Sequence, residues 1–333
     1  MAAGIERRGF ISVLGGAAMW PFAVRAQPSD KIRRVGVLPT GYRQTDPEGQ
    51  ARVAAFLDTL RGLGWNDGRN VRLDIRWSSN DIDRIREETT ALVGSAPDAI
   101  VISANAALAV LQKLDRTIPT VFVQVSDPVG SGFVNSLSRP DGNVTGFQNF
   151  EPAMGGKWLG LLKEIAPSVT RAAAVVHPDT AAHIEFLRAA EAVARPLGVQ
   201  MSPISAVGGD ETARGITRFA DTPNGGLIVL PHPGNINNRD FLIELAARLR
   251  LPAIYPFRYF ATGGGLVSYG FDQLEHWRGA AGYVDRILRG AKPADLPVQA
   301  PTKYDLAINL RSAKALGLTI SPSLLATANE VID

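Results

Sequence analysis

The residue types that carry covalent or metal chemistry are scarce in this chain, and their spacing does not suit it. There is no cysteine, which removes disulfides, thiolate metal sites and a cysteine nucleophile together. The histidines are His177, His183, His232 and His276. His177 and His183 are six apart, whereas two ligands on one helix face stand three or four apart. No Gly-x-x-x-x-Gly-Lys-Ser/Thr loop and no Gly-x-Ser-x-Gly elbow occurs, and no Gly-x-Gly-x-x-Gly follows the first apolar run. No nucleophile–base pair stands out. The pattern points to a binder that is not an enzyme, with no cofactor and no metal site.

Binding chemistry has better candidates, in polar turns that end apolar β runs. In the first half these are Thr40-Gly41-Tyr42, Ser103-Ala104-Asn105 and Ser126-Asp127. Turns after parallel strands gather along one sheet edge, where ligands of open α/β sheets sit. Ser103 to Ala106 also begins a helical pattern, so its free N–H groups could meet an anion. Ser103 and Asn105 could equally be plain N-caps. Asp127 before Pro128 is either a turn residue or a partner for a ligand amine. Tyr42 is a cleft wall or a surface aromatic. In the second half the matching positions are His177, Asp179, His232, Tyr255 and Tyr269. The histidines fit loop residues with local hydrogen bonds better than ligand contacts. The tyrosines could grip a ring or pack at a hinge. The resulting expectation is a carboxylate on the Ser103 side and an amine near Asp127.

The elements that must position these residues alternate. Lys31–Pro39, Asn70–Trp77, Asp98–Ile102 and Ile118–Val125 read as strands, with amphipathic helical patterns between them. The same β-α-β-α-β-α-β order starts again near Arg171. The predicted fold class is α/β: two similar lobes, each a parallel sheet with helices on both faces, joined by a hinge. Lobe one spans residues 30–148, completed by 271–292. Lobe two spans 149–270, completed by 300–333, after a Pro-rich stretch with Pro293, Pro297 and Pro301. A short helical tail is expected to close the chain. Phe56, Trp65, Trp77, Trp158 and Trp277 read as core or interface.

Residues 1–26 have the form of an export signal: Arg7-Arg8, an apolar stretch from about Phe10 to Phe22, then Val24-Arg25-Ala26. Cleavage near Ala26 and a periplasmic location are expected. Arg7-Arg8-Gly9-Phe10 resembles a twin-arginine core, although Glu6 and Ser12 depart from its usual flanks. The remaining chain holds 32 basic and 31 acidic residues. That balance gives no electrostatic argument for nucleic acid or a membrane surface as partner.

Three long segments carry a family resemblance: VSDPVGSGFVNSLSRPDGNVTGF, LPAIYPFRYFATGGGLVSYGFD and AAGYVDRILRGAKPADLPVQAPTKYDLAINLRSAKALGLTI. In fixed order, they resemble the substrate-binding proteins of ABC transporters, tryptophan/tyrosine-type branch. The resemblance covers about residues 31–333. It implies a type I periplasmic-binding fold that closes on a small polar or aromatic solute, amino acid-like or an aromatic acid. It implies delivery to an ABC permease in the inner membrane, by a protein acting as a monomer. A periplasmic sensor that signals to a membrane receptor would use the same closing cleft. A sugar-regulator relative would need a DNA-binding helix pair where the leader stands.

Overall fold

The computed structural model describes residues 32–333 apart from Asn80 and Asp179. The export-signal reading of residues 1–26, and the ligand role given to Asp179, therefore lie outside the described residues.

The first lobe alternates β1 (Arg33–Leu38), α1 (Pro47–Gly62), β2 (Val71–Ile75), α2 (Ile82–Gly94), β3 (Ala99–Ser103), α3 (Asn105–Leu114) and β4 (Thr120–Val125), then adds β5 (Val144–Gln148). The strands lie in the order β2-β1-β3-β4-β5, all neighbours parallel. β3 and β4 are buried at every position, as strands covered on both faces must be. Helix α1 starts where Asp46 accepts the N–H groups of Glu48 and Gly49, with Pro47 in its first turn.

The second lobe begins with α4 (Met154–Ile165), β6 (Arg171–Val176), α5 (Ala181–Ala194), β7 (Gln200–Ser205), α6 (Gly209–Ala220) and β8 (Gly225–Val229). It continues with α7 (Pro233–Asn237), α8 (Arg239–Arg248), β9 (Ala253–Tyr255), α9 (Arg258–Thr262) and β10 (Val267–Gly270). Then come α10 (Gln273–Leu288), β11 (Asp305–Asn309), α11 (Leu310–Ala315), α12 (Pro322–Thr327) and β12 (Glu330–Ile332). The strands of the second sheet lie in the order β12-β11-β10-β9-β8-β6-β7.

Two details differ from the sequence reading. The second sheet is not wholly parallel, because β11 runs antiparallel to β10. The chain re-enters this sheet from the hinge, so Asp305 at the start of β11 pairs with Gly270 at the end of β10. The tail is not purely helical either. After α12 the Asn329 side chain accepts the Leu306 N–H at 2.9 Å, and β12 then pairs with β11.

Helix α10 follows β10 but packs on the first sheet. Its Trp277, Ala280 and Val284 share a core with Phe56 of α1, Val101 of β3 and Val121 of β4. Phe56 and Trp277 meet edge to face at 6.4 Å. Gln299 then lies beside β5, exchanging hydrogen bonds with Gln148 and Gly146 at 2.9 Å each, before the chain returns to β11. At the β10–α10 passage, a Cβ on Gly270 would lie 1.8 Å from the Pro256 carbonyl oxygen, so only glycine fits. No helix of the described residues is long and apolar enough to cross a membrane.

Candidate functional site

Parallel strands β1, β3 and β4 are neighbours, so their carboxyl ends open onto one edge. Over that edge lies a cavity of about 410 Å³ walled by both lobes. The first lobe contributes the β1 end (Thr40, Tyr42), the start of α3 (Ala104, Asn105, Ala106) and the β4 end (Gln124, Ser126). The second lobe contributes Thr180 and Ala181 at the start of α5, the loop Pro231-His232-Pro233, and Phe257. Asn149 and Gln273, at the passages between the lobes, complete the wall. Among the described residues, no side chain in this lining carries a formal charge at neutral pH.

The backbone around the cavity is unusual. Ala104, Gln124 and Asp127 have φ of 71°, 56° and 44°, values that L-residues seldom adopt. Gln124 sits where the β4–β5 register slips between Val123 and Val125. Such a bulge re-aims a side chain. Here it sends Gln124 to the cavity, where its Nε2 donates to Tyr42 Oη at 3.1 Å.

The structure brings together Thr40, Tyr42, Ala104, Asn105, Ser126 and His232 from the residues singled out in the sequence. Asn105 does not cap its own helix. Its amide bonds both the N–H and the carbonyl of Ser126, at 3.0 and 2.8 Å, locking the β4 end to α3. His232 is packed face to face on His177 at 3.5 Å, and its Nδ1 accepts the Gly234 N–H.

Other candidates stand outside the lining. Ser103 is fully buried and its Oγ accepts the Thr40 N–H at 2.7 Å, so it shapes the wall from behind. Gly41, at φ 87°, makes the turn that presents Tyr42. Asp127 is also absent from the lining. Its carboxylate accepts the Gly130 N–H at 2.8 Å and closes the turn after β4. His177 lies beneath His232, its Nε2 3.3 Å from Asn235 Oδ1. Tyr255 stacks on Phe260 at 4.9 Å inside the second lobe, where burial pushes its phenol pKa well up. Tyr269 stacks on Tyr304 at 5.7 Å, and its carbonyl accepts the Trp158 indole N–H.

Burial disfavours the charged form of His183, His232 and His276. His183 Nδ1 accepts the His177 N–H and its Nε2 donates to the Pro231 carbonyl. Burial holds His183 down to about 4. Burial, then the neighbouring His177 and His183, hold His232 down to about 2.

Sequence reasoning missed Gln124, Asn149, Phe257 and Gln273. Gln124 lies within a run read as strand, and its positive φ has no sequence mark. Gln273 opens α10, which follows a strand of the second sheet but packs on the first, so nothing local links it to the cleft. Its Oε1 accepts from Arg52, a fully buried guanidinium of α1 that also sits over the rings of Tyr42 at 4.9 Å and Tyr259 at 5.7 Å.

The comparisons agree with this architecture. A curated relative, the tyrosine-binding protein of Clostridioides difficile (strain R20291), is 21% identical over 266 residues, covering 79% of this chain and 75% of that protein. A conserved domain protein of Vibrio cholerae superposes with a TM-score of 0.83 at 27% identity, covering 90% of this chain and all of that one. An ABC domain from Streptococcus pneumonia, solved in complex with L-Trp, gives 0.83 at 24% identity over 91% of this chain and 100% of its own. These solved neighbours share the two-lobed type I periplasmic-binding fold. A family model for ABC transporter substrate binding proteins matches residues 46–332, most of both lobes, and the chain belongs to that family.

Proposed function

We propose that this protein captures a small organic solute with an apolar or aromatic body and hands it to an ABC permease. The observation that carries the reading is the cavity of about 410 Å³ with one wall from each lobe. That size lies within the usual range of about 300–1,000 Å³ for small-molecule pockets. Tyr42, Phe133 and Phe257 offer aromatic surface, and Thr40, Gln124, Ser126 and Asn149 offer uncharged polar groups. Names of relatives that bind tyrosine or L-Trp support an aromatic body. The role is non-catalytic. The lobes, 30–148 with 271–292 and 149–270 with 300–333, close as a monomer on the bound solute. The protein works in the periplasm after cleavage near Ala26.

The test is a thermal-shift screen of the mature chain against amino acids, aromatic acids and amides, followed by calorimetry. At least one aromatic compound should raise the melting temperature, and Phe257→Ala should abolish that shift. A flat response across the panel would overturn the reading. Sequencing the exported protein should find its N-terminus near Gln27.

A further inference from the structure

We propose that Gln124 determines specificity in the cleft, offering its side-chain carbonyl to a hydrogen-bond donor of the solute; this rests on the solute-binding reading above. The alternation of side chains along β4 shows how the residue reaches the cavity. Successive residues of a strand face opposite sides of the sheet. Val121 and Val123 enter the core that holds Trp277, and Phe122 enters the other core, with Ile102 and Leu108. Gln124 is next in turn for that second apolar core, yet Val125 takes the place. The register slip between Val123 and Val125 makes Gln124 the extra residue, at φ 56°. Its amide is thereby kept out of the core and brought to the cavity wall. A residue with a Cβ is costly to hold in the left-handed region, and such outliers gather at ligand sites.

The amide is held by one end and open at the other. Gln124 is 9% exposed, and its Nε2 donates to Tyr42 Oη at 3.1 Å. No described residue donates to Oε1. Unlike Asn149 Oδ1 and Gln273 Nε2, Oε1 is not sealed off from accessible space. The space that Gln124 borders is the cavity, so Oε1 is an acceptor open to the solute. Ser126 Oγ, in the same wall, is likewise unpartnered among the described residues and unsealed.

A solute with an N–H or O–H at this point satisfies Oε1. One with neither leaves a desolvated carbonyl unpaired when the lobes close on it. That penalty gives polar contacts their power to discriminate, beyond what apolar fit supplies. An amine and a hydroxyl share the donor chemistry, and the arms of the test separate them.

The experiment is calorimetry of the mature protein with two series that differ only in that donor: L-phenylalanine, L-3-phenyllactate and 3-phenylpropionate, then L-tryptophan, L-indole-3-lactate and indole-3-propionate. In at least one series the amino acid or the lactate should bind roughly tenfold or more tightly than the propionate. Gln124→Met should bring that preference down to within about threefold. Gln124→Gly suits the positive φ and should do the same, so the test stands even if the Met variant does not fold. Gln124→Glu keeps an acceptor oxygen and should retain the preference, and Tyr42→Phe, which leaves Oε1 in place, should retain it too. Propionates binding as tightly as their partners would overturn this inference and leave the solute-binding reading standing. So would a preference that survives both Gln124→Met and Gln124→Gly. Loss of the preference in Gln124→Glu would show that the amide nitrogen meets the solute, and would overturn the inference as well. Binding of none of the six would bring down both this inference and the aromatic solute reading.

Discussion

At the scale of single residues, the side chains nearest the ligand edge divide into those that build the wall and those that face the space. Asp127 belongs to the builders, since one oxygen of its carboxylate accepts the Gly130 N–H at 2.8 Å and closes the turn after β4. A charge-assisted bond of this kind contributes about 1.5–3 kcal/mol. Asp127→Ala should therefore lower stability by about 1–2 kcal/mol in urea unfolding, and change the affinity for any cleft ligand by less than about threefold. A large loss of affinity at unchanged stability would return Asp127 to the binding surface. Gln124 is the opposite case. Its positive φ and its place in the bulge give it no structural task that an ordinary strand residue would not do better. Its amide instead holds the Tyr42 hydroxyl beside the cavity.

At the scale of elements, buried histidines tie neighbouring elements together. His183 on α5 bonds the end of β6 and the loop after β8, and its ring lies 5.8 Å from that of His232. On α10, His276 stacks on Phe271 at 4.3 Å, and burial holds it down to about 3. Each of the three has a folded pKa below the unfolded value of about 6.5. The unfolded chain thus binds protons first as pH falls. Stability is fully present above about pH 6.5 and declines as pH drops towards the folded values. Each histidine costs about 1.4 kcal/mol per pH unit in that window, so the three together cost up to about 4 kcal/mol per unit. The melting temperature should fall steeply between about pH 6 and pH 4.5. His276→Phe removes one titrating group and should flatten the fall by about a third. A melting temperature constant across that window would show that these histidines protonate freely in the folded protein.

At the scale of the molecule, the lobes meet across the cleft through a small set of contacts. The Arg52 guanidinium of the first lobe lies over Tyr259 of the second, and Arg239 approaches Asp46 at 3.8 Å. Hinge closure is a standard response of two-lobed binders, and such contacts bias it towards the closed form. The Tyr259 hydroxyl is buried without a partner, so Tyr259→Phe removes an unsatisfied group and should leave stability and affinity nearly unchanged. Tyr259→Ala removes the ring itself. It should enlarge the ligand-free radius in small-angle scattering and weaken ligand binding roughly five- to thirtyfold, the population shift expected from losing about 1–2 kcal/mol of closed-state contact. Identical scattering from Tyr259→Ala and the native protein would mean the ring does not hold the lobes together.

The repeated β-α order, the two lobes and the first-lobe turns at Thr40-Tyr42, Ala104-Asn105 and Ser126 were legible in the sequence. Hydrophobic periodicity and parallel connection are local rules, and they place strand ends on one edge without further information. Other features came only from long-range packing. Neither the re-entry of β11 from the hinge nor the docking of α10 on the first sheet is written in either segment alone. The same holds for the buried unpaired groups. Asn149 Oδ1 and Gln273 Nε2 are ordinary amides in the sequence, and only the chain passages between lobes bury them without partners. Tyr255 and Tyr269 show the reverse case: placed at strand ends, Tyr255 is turned into the packed interior and the partly buried Tyr269 is turned onto Tyr304. A strand end can be read from the order of residues, but the direction in which its side chain faces depends on which neighbours the folded chain brings against it.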